Sequence, residues 1–516
     1  MTSPDSTPSA ASSDQGSSVT CPLDAPEPVF PLEIWTIVEG YLPWKIRLIL
    51  GATCKTLRNL LPPRFECVTL TLADCSVSTA EFTNQLLLRK IDFFASPEVA
   101  LSVKICRLNF HTKRVPSLPP TPDVCTPLFS VVAKFKNLTD LDCFRILFDE
   151  CHVNVINSLP NLIRAEFTEC QWMHRQPVPF EDRMQLRHLL VDHGPNRQRY
   201  NWLFNTHPDH LVSLVLTSGM PAALISGFLP PLPNLESLEI NGIAMLHPEI
   251  PSFFTLCPAL IELRVTTDSL WPSYARAADA VVNVISAGCI PDLRMYEGPV
   301  NFLPAFTRGR LVTHVGVYAC PLLMQNFTIK VGSAFKKQQI RSLKIRVPII
   351  TDQIIALLCY FKAILAVEIV VTNEGQPPES KQTYLDVLAA LDTSTFHPPR
   401  NLEYLSIAEE ATAWGTPKES PWYQYQRESQ QRVLSQSPTQ SLLPPSLSEA
   451  RSFHTTTPGS SFIQKCHNLQ YVMLSDGPGV IAAWNPRTSF SSEIKTIRQW
   501  QRQRLGLFEP VVYNSL

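Results

Sequence analysis

The chain has 516 residues, 45% of them apolar and 17% charged, with a formal net charge of −1. That balance supplies no global field for nucleic acid or an anionic membrane surface, and the length allows a large core divided over about two to four domains. The 14 cysteines form no CxxC pair and no zinc-ligand spacing, so reduced thiols in the cytosol or nucleus are expected, with no metal and no other cofactor.

Residues 1–27 are rich in Ser, Thr, Pro and Asp. They show neither a basic n-region nor an apolar run, so a disordered segment rather than a signal peptide is expected. Residues 28–64 read as a compact helical module. Ile34, Ile37, Val38 and Tyr41 form one apolar stripe, and Leu42-Pro43 breaks it. A short second helix runs from Trp44 to Leu50, and Cys54, Leu57, Leu60 and Leu61 line a third. Three helices in so short a stretch bury little on their own, so such a module packs against something else.

A solenoid is expected over residues 65–490. VTLTLADC (68–75) and VKICRLNF (103–110) read as its first strands. Between them, Ala80–Phe94 carries Phe82, Leu86, Leu87, Ile91 and Phe94 at helical spacing. A Pro-rich loop is expected over Arg114–Pro127. Then a nine-residue pattern recurs: LIRAEFTEC from Leu162, LVSLVLTSG from Leu211, LESLEINGI from Leu235, LIELRVTTD from Leu260. Looser copies begin at Leu138 and Leu186, which sets a spacing of about 24–25 residues, within the leucine-rich-repeat range. Positions 4 and 6 of each nonamer point into a shared core that one repeat cannot close alone. Positions 3, 5 and 7 then face outward on a concave strand surface, since side chains alternate along a strand.

Later copies start at Leu311, Ile340, Leu402 and Leu469, with a degenerate one at Leu293 and helices expected at Ala275–Ala287 and Gln382–Leu391. The apolar stretch Ile354–Val371 is interrupted by Lys362 and Glu368, so it reads as a helix running into the strand AVEIVV, not a membrane span. Residues 411–463, rich in Gln, Ser and Pro, read as a disordered insertion. Residues 491–516 read as a capping helix and tail.

No GxGxxG, GxxxxGK[ST], HExxH or GxSxG occurs. Asp192-His193 and His207/Asp209 supply acid–base types with no nucleophile at recognisable spacing. The basic segments Lys336-Lys337 and Lys344/Arg346 lack the aromatic interleaving of a single-strand nucleic-acid surface. The expected function is therefore binding, not catalysis.

Residues 30–61 resemble an F-box. The matches are Phe30-Pro31, Glu33-Ile34, Ile37, Tyr41-Leu42-Pro43, Leu48, Leu50, Cys54-Lys55, Leu57 and Leu60. The departures are Phe30 in place of the first Leu and Lys45 where an acidic residue is frequent. With repeats following at once, the whole chain resembles a fungal-type F-box/leucine-rich-repeat protein: an α/β chain with a small three-helix module and a curved solenoid. The resemblance implies the substrate-recognition subunit of an SCF-type ubiquitin ligase. Phe30, Pro31, Ile34, Ile37, Leu42, Pro43, Leu48 and Leu57 would meet a Skp-type adaptor, linked to cullin and RING subunits. The repeats would hold an unknown protein substrate, with Arg164, Glu166, Glu239, Asn241, Glu262 and Arg264 on the substrate face. A repeat scaffold without ubiquitin transfer is the alternative, and an enzyme with a loop-built site a distant third.

Overall fold

The computed structural model describes residues 65–73, 90–111, 122–172, 183–192, 202–217, 229–266, 285–286, 288–320, 323–335, 339–373, 376–392, 397–410, 465–476 and 479–484. The module at 28–64, the stretch 411–463 and the tail from 491 lie outside them.

Among the described residues, seventeen strands follow in chain order: β1 (Cys67–Ala73), β2 (Ile105–His111), β3 (Asp140–Phe144), β4 (Leu147–Phe148), β5 (Arg164–Thr168), β6 (Gln171–Trp172), β7 (His188–Asp192), β8 (Ser213–Leu216), β9 (Ser237–Asn241), β10 (Glu262–Thr266), β11 (Met295–Pro299), β12 (His314–Tyr318), β13 (Ser342–Val347), β14 (Ala366–Val371), β15 (Tyr404–Glu409), β16 (Tyr471–Asp476) and β17 (Gly479–Trp484). All but β4 and β6, which pair with each other, form one 15-stranded sheet whose spatial order is the chain order. Pairing is parallel throughout until β17, which turns back antiparallel on β16. The molecule is thus mixed α/β with one long parallel sheet.

The nonamer explains the pairing. Position 4 of each repeat aligns with position 4 of the next, as in Leu189, Leu214, Leu238 and Leu263. These leucines and their position-6 partners Val191, Leu216, Ile240 and Val265 are buried. They belong to one continuous apolar cluster reaching from Val68 to Leu474. Helices including Pro122–Val132, Glu150–Asn157, Ile250–Thr255, Met324–Phe335, Asp352–Leu358 and Tyr384–Leu391 connect strands and contribute apolar side chains to that cluster. Within it Trp202 stacks on Phe167 at 3.9 Å, with Phe148 edge-on to both.

An asparagine ladder accompanies the leucines. The residue just before position 1 is Asn in five repeats among the described residues: Asn137, Asn161, Asn234, Asn401 and Asn468. Each side-chain amide donates to a backbone carbonyl of the preceding repeat: Leu101, Lys136, Asp209, Lys362 and Arg400, at 2.7, 2.9, 2.7, 3.3 and 2.9 Å respectively. The bonds satisfy carbonyls in the turn that enters each strand.

Two of the expected placements need correcting, the loop before Pro127 and the copy at Leu311. The loop expected over Arg114–Pro127 gives way to a helix at Pro122, with Pro127 inside it; a proline that opens a helix suits its first turn. The copy expected from Leu311 is displaced by one residue. Val312 is fully buried at position 1 and Leu311 is 69% exposed, so His314, Gly316 and Tyr318 take positions 3, 5 and 7. The degenerate copy at Leu293 forms β11. Gln382–Leu391 is helical from Tyr384. The stretch from Ile354 divides into the helix Asp352–Leu358 and β14, and among the described residues no helix is long and apolar enough to cross a membrane.

Candidate interaction face

Position 5 of successive nonamers forms one row across the face opposite the helices. In strand order it reads Thr69, Arg107, Asp142, Glu166, Leu190, Val215, Glu239, Arg264, Glu297, Gly316, Lys344, Glu368, Ser406 and Met473. Parallel pairing without a bulge fixes these side chains at the inter-strand spacing of about 4.8 Å. From β3 to β10 the face is half-exposed at positions 3 and 5. From β11 to β15 most residues of both faces are buried, in keeping with their continuous apolar runs.

Two charged clusters interrupt the row. In the first, Arg107 Nε meets Asp142 Oδ2 at 3.2 Å. Arg164 lies 3.7 Å from Asp140 and 3.5 Å from Glu166, and the Thr168 hydroxyl lies 3.4 Å from Glu166 Oε1 as its donor. Burial raises the pKa of Glu166, and the Asp142 charge beside it adds to this; Arg164 opposes them, leaving it pushed up to about 7. Burial also lifts Asp142, against the pull of Arg164 and Arg107.

In the second cluster, Arg264 divides its guanidinium among three carboxylates: Glu239 at 2.7 Å, Glu262 at 2.8 Å and Glu297 at 3.2 Å. Burial works against its charge, but Glu297, Glu239 and Glu262 outweigh that and raise its pKa. Glu297 is itself buried. It also accepts from the Tyr318 hydroxyl and meets Lys344 at 3.3 Å, while Lys344 meets Glu368 at 3.4 Å. Burial raises the pKa of Glu368, Lys344 opposing.

One glycine makes this geometry possible, and a second serves the opposite face of the sheet. A Cβ at Gly316 would stand 2.7 Å from Glu297 Cγ, so the bare backbone leaves room for Glu297 to lie across β12 toward Lys344. A Cβ at Gly298 would stand 2.7 Å from the Tyr296 hydroxyl, which donates to Pro299 O at 2.8 Å.

The two clusters are separated by β7 and β8, where the row carries half-exposed Leu190 and Val215. His188 and Asp192 flank Leu190, and Ser213 and Thr217 flank Val215. Burial lowers the pKa of His188, with Arg187 and Arg164 adding.

Of the residues expected on the substrate face, Arg164 and Glu166 stand in the first cluster and Glu239, Glu262 and Arg264 in the second. Asn241 is buried; its amide donates to Thr217 O at 3.1 Å and its Oδ1 accepts from the Ile243 amide at 2.8 Å. Thr168, also expected outward, is buried too. At these places position 7 is the last residue of its strand, where the chain leaves the sheet. Sequence reading missed Arg107, Asp142, Glu297, Lys344 and Glu368 as a group, although reading position 5 down every repeat would have collected them. Phe30 to Leu57 lie outside the described residues.

Several other chemistry-bearing groups pack in the interior. Cys143, Cys170 and Cys257 are buried; Cys170 Sγ donates to Cys143 O at 3.2 Å, and burial raises the pKa of the Cys143 and Cys257 thiols, which disfavours the nucleophilic thiolate. Arg310 is buried and donates to the carbonyls of Ile290, Ala305 and Ser286 at 2.9, 2.6 and 2.5 Å. Among the described residues no group of three or more His, Cys, Asp or Glu is placed to hold a metal ion.

No family model matches the chain, and no curated protein matches it. Among solved structures, a crystal structure of a TLR13–ssRNA13 complex overlaps 61% of this chain and 40% of that one, at 13% identity and a TM-score of 0.28. The chain thus spans about 40% of that protein's length, and at such a score the likeness carries no argument.

Proposed function

We propose that the chain recognises another protein on the open face of its sheet and presents it to a ubiquitin ligase. In this reading the 28–64 module binds a Skp-type adaptor, cullin and RING subunits follow, and the repeats hold the substrate. The chain itself performs no chemistry; it raises the effective concentration of the substrate at the conjugating enzyme. The observation that carries the recognition half is the unbroken register of the position-5 row. It presents charged and apolar side chains at fixed spacing over many strands, and charged groups of this kind set specificity and association rate. The ligase half is supported by the F-box resemblance of residues 30–61.

The test is binding of purified full-length chain to a purified Skp-type adaptor. Buried apolar anchors dominate such interfaces, each costing about 2 kcal/mol or more when truncated. The Pro31→Ala/Ile34→Ala double variant is expected to lose the adaptor while its circular dichroism spectrum stays that of the wild type. Absence of association for the wild type at micromolar concentration overturns the ligase half and leaves a repeat scaffold without ubiquitin transfer.

A further inference from the structure

From β2 to β10 the open face carries three arginines against six carboxylates: Arg107, Arg164 and Arg264 against Asp140, Asp142, Glu166, Asp192, Glu239 and Glu262. Above pH 7, where Glu166 with its raised pKa of about 7 is ionised too, the balance is 3 − 6 = −3 on a chain whose formal net charge is only −1. The arginines are already engaged: Arg107 with Asp142, Arg164 with Asp140 and Glu166, Arg264 with Glu239 and Glu262. The excess is therefore carboxylate: one stands at each end of an apolar step made by Leu190 and Val215, and the third, Asp192, stands on β7 beside Leu190. Like charges were not spread evenly along the row; they were placed on either side of two side chains that cannot ionise.

The spacing is set by the sheet. From Glu166 on β5 to Glu239 on β9 there are three inter-strand steps, through Leu190 and Val215. At about 4.8 Å each they span about 14 Å. An extended polypeptide advances about 3.4 Å per residue, so residues i and i+4 lie about 14 Å apart, and i, i+2 and i+4 share one face. We infer that this face receives an extended segment of a protein partner of the form basic–x–apolar–x–basic, laid across the strands. Its two cations meet the Glu166 and Glu239 ends, and its apolar side chain rests on Leu190 and Val215. This deepens the proposed function and rests on its recognition half. The negative balance excludes an anionic partner such as nucleic acid from the same surface.

The probes are labelled nine-residue peptides on a Ser/Ala background, titrated against full-length chain by fluorescence anisotropy at pH 8, where Glu166 is ionised. One carries Lys, Leu and Lys at its third, fifth and seventh positions. A second has the same composition with the two lysines adjacent, and a third has Ser for Leu. The spaced peptide is expected to bind at least tenfold tighter than the clustered one and several-fold tighter than the Ser peptide. Its affinity should fall as salt rises from about 50 to 200 mM. The Glu166→Gln/Glu239→Gln variant leaves Arg164 with Asp140 and Arg264 with Glu262 and Glu297, so it retains ion-pair partners on the face. It is expected to lose tenfold or more. Val215→Lys, which places a cation in the apolar step, tests the same site should that double variant fold poorly. Equal binding of spaced and clustered peptides, unchanged affinity in both variants, or no binding at millimolar peptide overturns the inference. Adaptor capture is measured on the same preparation. Adaptor bound without peptide selectivity removes only the inference; peptide selectivity without adaptor removes only the ligase half of the function.

Discussion

At Glu297 three strands converge on one carboxylate: Arg264 comes from β10, Tyr318 from β12 and Lys344 from β13. The side chain is buried, so its partners would be left with uncompensated charge if it were truncated. Glu297→Ala is expected to cost about 3 kcal/mol, read as a lower urea midpoint; a change under about 0.5 kcal/mol would show that Glu239, Glu262 and Glu368 suffice for the cations. Glu166 presents the opposite case, a carboxyl whose folded pKa is about 7 against a usual 4.5. Asp142, Asp140, Arg164, Arg107, Thr168 and His188 surround it. A folded pKa above the unfolded one means that the native state holds the proton more tightly. The associated stability is full below about pH 4.5 and is lost as pH rises through about 7. Denaturant midpoints should therefore fall between pH 5 and 7.5 by on the order of 1–2 kcal/mol more in the wild type than in Glu166→Gln. Identical pH profiles for the two proteins would contradict this.

At the scale of strands and turns, the asparagine ladder ties each strand-entering turn to the one before it. Each bond is largely exposed, so its net worth is about 0.5–1.5 kcal/mol. Asn161→Ala is expected to cost that amount by chemical denaturation, with the fold intact by circular dichroism. A loss above about 3 kcal/mol would mean that the amide guides pairing and does more than add a bond. How much could be read beforehand differed between elements for physical reasons. Where one face is half-exposed, as in β8 and β10, alternation is visible in the letters SLVL and ELRVT, and burial follows it. In β12 every residue is buried, so alternation is silent; Leu311 and Val312 both satisfy position 1, and the letters alone do not choose between them. In strands a one-residue slip exchanges the faces, which hid Gly316 opposite Glu297. β17 escaped notice because its partner is antiparallel and its sequence, GVIAAW, carries no nonamer. The five asparagines stood in plain view as Asn-Leu pairs, but their reach to the preceding repeat is a three-dimensional fact.

For the molecule as a whole, β15 and β16 are direct neighbours, with Tyr404 stacked on Tyr471 at 5.3 Å and 9°, although residues 410–470 separate them in the chain. Elsewhere a return of 18 residues, 348–365, suffices between β13 and β14. Replacing 411–463 by about 12 Gly/Ser residues leaves 1 + 12 + 7 = 20 residues for the return, with residues 410 and 464–470 kept. Loop-closure cost changes slowly with length, so the shortened chain is expected to unfold within about 1 kcal/mol of the wild type, as read from denaturant midpoints. Loss of folding would show that the replaced stretch packs on the sheet. The asparagine ladder has one more implication, concerning time. Every described rung reaches backward, toward the repeat made earlier, and every strand of the long sheet pairs with its predecessor in the chain. On a ribosome delivering residues at about 5–20 per second, each repeat emerges to find its neighbour already present. Assembly can then proceed in the order of synthesis, with a single growing edge exposed at any moment. β17, running the other way, is the last described strand of the sheet to arrive and lies along that edge.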